Sequence, residues 1–186
     1  MTDYFALLQQ PRQPWLELDQ LKQRYQKLTL AQHPDSAGGR ESSADFALVN
    51  EAYRVLADPK LRLQHLLRVS GIDPNADQAI PEELADLFNR IGSFVQATDE
   101  LLQRVSSTQN ALARSIIRPE IVAQRKEAEE LLGKTRQLYE AALLDARSLN
   151  KTWAQVPQQL AQIFRQLAYL TRWIEQLEER QFQLST

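Results

Sequence analysis

Residues 18–35 read LDQLKQRYQKLTLAQHPD, and residues 46–59 read FALVNEAYRVLADP. In the first run Leu18, Leu21, Tyr25 and Leu28 recur at three- and four-residue steps, which puts them on one face of a helix. In the second, Phe46, Val49, Tyr53 and Leu56 do the same. Pro34 ends the first run, because the residue before a proline is pushed out of the helical region. Ser36-Ala37-Gly38-Gly39 continues a loop, and Ser42 or Ser43 is the expected N-cap of the second helix, over 43–57. Two amphipathic helices joined by so short a loop are expected to lie antiparallel and bury their stripes against each other.

The tripeptide His33-Pro34-Asp35 sits in that loop. Pro34 fixes φ and removes a backbone donor, which stiffens the bend. Asp35 is an anionic acceptor suited to a bidentate arginine from a partner. His33, when neutral, can donate and accept at once. A stiff polar loop loses little entropy on binding, so this chemistry points to docking.

Working outward, a short helix is expected near 3–8, ended by Pro11 and Pro14, and Pro59 suits the first turn of a helix reaching Val69. Residues 70–79 read as a loop. Pro81 then opens a long helix whose first turn carries Glu82 and Glu83, favourable to the helix dipole. Its stripe is Leu84, Leu87, Phe88, Ile91, Val95, Leu102 and Val105. Ser106–Asn110 is expected to fray, and Arg118-Pro119 to mark a break. A helix over 119–149 follows, with Ile121, Ala128, Leu131, Leu138 and Ala142 inward. After a tight turn at 152–156, the last helix starts at Pro157 with the stripe Leu160, Ile163, Phe164, Leu167, Leu170, Ile174 and Leu177. The fold class is therefore all-α. Residues 1–70 form one domain, 71–80 a linker and 81–186 a three-helix bundle.

Composition agrees with a helical chain of ordinary polarity. Of 186 residues, 43% are hydrophobic and 25% charged, with only 5 glycines. There is no cysteine, which removes disulfides and thiolate metal sites and leans to a reducing compartment. No apolar run is long enough to span a membrane, and the N-terminus shows no signal-peptide pattern. The net charge of −2 argues against nucleic-acid binding, which calls for a concentrated basic face. His33 and His65 are far apart, and no metal-ligand spacing, phosphate-binding glycine loop or nucleophile motif is present. No cofactor, metal or catalytic residue is expected. Glu127, Glu129 and Glu130 read as a solvated helix face, and Trp153, Tyr169 and Trp173 as packing residues.

The helical hairpin with His33-Pro34-Asp35 at its bend, and the run from Phe46 through Asn50, Glu51, Tyr53 and Asp58 to Pro59, resemble a J-domain. Over its whole length the chain is similar to the HscB family of iron–sulfur cluster co-chaperones. Asp3-Tyr4-Phe5, Arg62 through Leu66 and Leu67, Gly71-Ile72-Asp73, Asn150 with Thr152 and Trp153, and the stretch Glu175 to Glu179 carry that likeness.

The resemblance implies a cytoplasmic protein with no chemistry of its own. Its J-domain would stimulate the ATPase of an Hsp70, and its bundle would hold the scaffold protein on which iron–sulfur clusters are built. His33, Pro34, Asp35, Lys22 and Lys27, with Arg24 nearby, would face the Hsp70. At about 100° per residue Lys22 and Lys27 lie well apart around their helix. The family's aromatic and basic residues around the tripeptide are replaced by Ala31, Gln32 and Ser36. On the bundle, Leu87, Phe88 and Ile91 take the family's apolar contact positions. Its acidic ones fall on Gly92, Val95 and Asp99, so only Asp99 keeps the charge, and an exposed aromatic falls on Gln166. The apolar trio is open to two readings, contact surface or bundle core. A second reading of the whole keeps the J-domain and gives the bundle a different client; a third makes the chain a helical adaptor to which no Hsp70 responds.

Overall fold

In the computed structural model, residues 1–31, 41–76, 79–108 and 110–185 are described. Helix α1 spans Tyr4–Leu7, α2 Leu18–Ala31, α3 Glu41–Ala57 and α4 Pro59–Val69. Helix α5 spans Ala85–Ser107, after a single 3-10 turn at Glu82–Leu84, α6 spans Ala111–Ser148 and α7 Pro157–Gln183. The chain divides into two compact units, Met1–Gln78 with Leu143–Phe164, and Ala79–Ala142 with Arg165–Thr186. The division falls inside both α6 and α7.

In the first unit, α1 starts where Asp3 accepts hydrogen bonds from the backbone N–H groups of Phe5 and Ala6. Arg12 braces this cap by an ion pair with Asp3 at 2.7 Å. Phe5 and Leu8 are fully buried. Helices α2 and α3 pack side by side through Leu21, Val49, Ala52 and Leu56, all buried. The Tyr25 hydroxyl donates to Asn50 Oδ1 at 2.7 Å, and its ring stacks on Tyr53 with centroids 4.3 Å apart. The stripe is narrower than the sequence suggests: Leu18 and Phe46, near the N-terminal ends of their helices, are exposed. Helix α3 begins at Glu41, ahead of the start at 43 expected from the sequence.

Helix α4 has the start its sequence predicts. Asp58 accepts from Leu61 N–H at 2.8 Å, and Pro59 occupies the first turn, where a missing donor does no harm. Its end is a Schellman motif. Ile72 N–H reaches Leu67 O at 3.0 Å and Gly71 N–H reaches Arg68 O at 3.1 Å. Gly71 adopts φ +78°, a conformation that disfavours side chains.

Two polar residues of α4 are buried. Arg62 is only 3% exposed; its guanidinium donates to Pro14 O and to Leu56 O, each at 2.8 Å. His65 Nε2 accepts from Tyr4 N–H at 3.0 Å, and its ring stacks on Tyr4 and Phe5. Accepting at Nε2 requires the neutral imidazole. Burial pushes the His65 pKa below its ordinary value; Asp3 opposes this, and Arg68 and Arg12 add to it. The unfolded chain takes up that proton near pH ~6.5, whereas the folded chain resists it. This contribution to stability is therefore complete above about pH 6.5 and declines as pH falls below it. The urea midpoint of the first unit is expected to drop between pH 7.5 and 5.5, with a shallower drop in His65→Gln. Equal slopes in the two proteins would contradict the assignment. The depressed carboxylates Asp3 and Glu51 lose their contribution only at more acidic pH.

The returning segment completes the first unit. Trp15 N–H donates to Asn150 Oδ1 at 2.8 Å, Asn150 Nδ2 donates to Gln13 Oε1 at 3.3 Å, and Trp153 Nε1 donates to Arg12 O at 3.1 Å. The Arg147 guanidinium lies over the Trp15 ring, 5.0 Å from its centroid, within the range of a cation–π contact. Residues 149–155 form two successive 3-10 turns, and α7 starts at Pro157 as expected.

The second unit is built from α5, the first part of α6 and the last part of α7. On α5 the buried residues are Leu87, Ile91, Phe94, Thr98 and Leu101. This alternation of four- and three-residue steps is the seam of a helical bundle. It places Phe94 and Leu101 inward, while Val95 and Leu102 pack at the margin and Phe88 stays outside. Ala128, Leu131 and Leu132 of α6 and Leu170, Trp173, Leu177 and Leu184 near α7 complete the core. Thr98 Oγ1 donates to Gln124 Oε1 at 3.1 Å, satisfying its buried hydroxyl.

Cross-helix pairs set the directions. Arg104 pairs with Glu120 and Arg136 with Glu178, while Gln166 meets Glu83 and Arg180 meets Asp99. Residue numbers rise together in the last two pairs, so α5 and α7 run parallel and α6 returns between them. The break expected at Pro119 is absent. Helix α6 runs through it, and the surrounding turns are held by buried Ile117 and by the Glu120 ion pair. Among the described residues no helix is long and apolar enough to cross a membrane.

Candidate partner-docking surfaces

The first surface belongs to the α2–α3 hairpin. His33, Pro34 and Asp35 lie outside the described residues; the frame on either side of them is defined. Tyr25, Asn50 and Tyr53 lock α2 to α3. Lys22, Arg24 and Lys27 are all exposed on α2. The structure brings Arg24 and Lys27 together on the rim of a shallow polar groove that includes Gln9, Gln10, Gln20 and Gln23. Lys22 stands apart from it. Positive charge on this helix is therefore spread over two faces, an arrangement that steers an acidic partner more than it clamps one.

The second surface lies on the bundle. Of the apolar trio, Leu87 and Ile91 turn into the core at 6% and 2% exposure, and Phe88 remains on the surface at 44%. Helix phase explains the split: Leu87 and Ile91 occupy the four-residue step of the seam, and Phe88 is rotated about 100° away from Leu87. The Phe88 ring tilts against Trp173, centroids 6.2 Å apart, and Trp173 in turn meets Tyr169 at 5.7 Å. Asp99 is held by Arg180 at 3.0 Å, and Gln166 donates to Glu83. Gly92 and Val95 lie beside Phe88 and line a groove between α5 and α7.

Sequence reading missed two parts of this. Tyr169 and Trp173 were expected only to pack, yet both also border the groove. Arg172 had no motif to mark it; the sole available signal was its place one residue before Trp173 on the flank of the α7 stripe. Among the described residues no group of three or more His, Cys, Asp or Glu side chains could hold a metal ion.

A paired-helix unit with a capped first helix, followed by a long three-helix bundle, defines a class. Residues 3–65 match the DnaJ domain family, so the chain is a J-domain protein. It is 27% identical to the co-chaperone protein HscB of Proteus mirabilis over 186 residues, covering 97% of this chain and 98% of that one. It is 40% identical to the chaperone protein DnaJ of Helicobacter pylori over 78 residues, 41% of this chain and 21% of that one. Chaperone HscB from Vibrio cholerae shares the fold, with a TM-score of 0.63 over 98% of this chain and 99% of that one, at 18% identity. Within the J-domain class, the chain is similar from end to end to an HscB co-chaperone.

Proposed function

We propose that the chain docks on an Hsp70 through its J-domain, accelerates ATP hydrolysis there, and presents an iron–sulfur cluster scaffold protein held by the bundle. The chain carries out no catalysis itself; it activates a partner's ATPase. Residues 1–70 serve the Hsp70 and residues 81–186 the scaffold, in the cytoplasm. The observation that carries this reading is the end-to-end likeness to an HscB co-chaperone, J-domain and bundle together, rather than to a J-domain alone.

His33, Pro34 and Asp35 are the proposed trigger, and Lys22 and Lys27 the steering charges. On the bundle Phe88 is the exposed contact, Leu87 and Ile91 support it from beneath, and Asp99 stands at the margin. Steady-state ATPase measurements with a partner Hsp70 test the first half. Asp35→Asn is expected to abolish stimulation, with unchanged helicity by circular dichroism. Normal stimulation by that variant would remove the tripeptide from the mechanism. The alternative of a different client draws support from Gly92 and Val95 standing where the resemblance places acids. Binding of purified scaffold to the full chain decides between the two.

A further inference from the structure

A further groove lies within the first unit, where α1, α3 and α4 meet. It has a volume of about 220 Å³ and is lined by Tyr4, Glu51, Arg54, Gln64, His65 and Arg68 among others. That is below the ~300 Å³ at which small-molecule sites begin, a size for one polar group rather than a whole cofactor. Arg68 stands four residues after Gln64 and three after His65, so the three side chains share one side of α4.

His65 supplies an unused donor. Because Nε2 accepts from Tyr4 N–H, the neutral ring carries its proton on Nδ1. This N–H has no acceptor among the described residues, although His65 is only 6% exposed. Nδ1 is not sealed from solvent, and the ring lines the groove, so the donor opens there.

The carboxylates nearby are already engaged. Asp3 is held by Arg12 and by two backbone N–H groups. Glu51 accepts from Arg54 Nε and Nη2 at 2.8 and 2.6 Å, which leaves Arg54 Nη1 unused. Arg68 has no hydrogen bond or ion pair among the described residues, and the Gln64 amide has no partner there either. Arg54 and Glu51 cancel in charge, and Arg68 remains as the surplus cation. The groove thus offers several donors and positive charge to a small anion.

We propose that this groove binds a phosphate group, as inorganic phosphate or a phosphate monoester. Its oxygens accept from His65 Nδ1–H, the Gln64 amide and the Arg68 guanidinium, with Arg54 Nη1 contributing from α3. A carboxylate brings only two oxygens to these donors, whereas a phosphate brings at least three.

Nuclear magnetic resonance titration of the full chain with inorganic phosphate tests this. Saturable shifts of the Arg54, Gln64, His65 and Arg68 amides are expected with phosphate and not with chloride at matched ionic strength. The His65 imidazole is expected to show its proton on Nδ1. Phosphate is expected to raise the pH at which that ring becomes charged, since a bound anion favours the cation. Arg68→Gln changes an exposed side chain, so the thermal midpoint is expected to hold while phosphate affinity falls at least about tenfold. Adenosine monophosphate that competes with phosphate would assign a monoester as the source, and failure to compete would assign the inorganic ion. Linear shifts shared with chloride would overturn the site, as would wild-type affinity in Arg68→Gln. Tighter binding of acetate than of phosphate would overturn the choice of anion.

Discussion

Replacing Arg62 by alanine is expected to destabilise the first unit by about 2–5 kcal/mol, because two buried carbonyls lose their donors and a cavity opens in one step. The guanidinium joins Pro14 O to Leu56 O, so a single side chain fastens the segment before α2 to the end of α3. Each orphaned carbonyl costs about 1–3 kcal/mol when water cannot reach it. Arg62→Met separates the two causes, since it restores most of the volume and none of the hydrogen bonds. It is expected to recover only part of the loss. Urea denaturation followed by tryptophan fluorescence reads this directly, as Trp15 adjoins Pro14. A midpoint for Arg62→Met equal to wild type would show that the two hydrogen bonds contribute nothing net.

Phe94→Ala is expected to cost about 3–5 kcal/mol in the second unit, the range for emptying a buried aromatic site. Phe94 is essentially inaccessible at the centre of the α5 seam. Phe88→Ala, six residues earlier and turned outward, is expected to leave the thermal midpoint within a few degrees while reducing scaffold affinity. The contrast matters for reading any variant of this helix. Leu87→Ala sits on the buried side and would lower binding by unfolding the surface rather than by removing a contact. Should Phe88→Ala melt as early as Phe94→Ala, the assignment of Phe88 to the surface would be wrong.

Much of this architecture is legible in local sequence. Caps and stops act over three or four residues, so Asp58-Pro59, Gly71 and Pro157 announce the boundaries of α4 and α7. The three- and four-residue spacing of Leu21, Tyr25, Leu28 and of Leu160 through Leu177 announces which faces pack. Pro119 misleads because its local cost is outweighed by packing along a long helix, which spacing rules do not weigh. Val95 and Leu102 mislead in a related way: the stripe as read passes over Phe94, Thr98 and Leu101, and a seam containing a threonine is hard to recognise by hydrophobicity. The burial of Arg62 and His65, and the partnership of Asn150 and Trp153 with residues 12–15, depend on contacts between distant parts of the chain. No periodicity reports them. At the candidate site the same holds for Arg172, which lines one groove with Phe88 and Val95 of α5.

The first unit is knitted from two stretches of polypeptide, Met1–Gln78 and Leu143–Phe164. Cutting after Gln78 would leave Trp15 without the amide of Asn150 and the cation of Arg147, and Arg12 O without the indole of Trp153. Part of the first unit's packing is therefore supplied from far beyond residues 3–65. Ribosomal synthesis reaches Trp153 long after Trp15 has emerged, so the earliest-made portion waits for nearly the whole chain before its native packing can close.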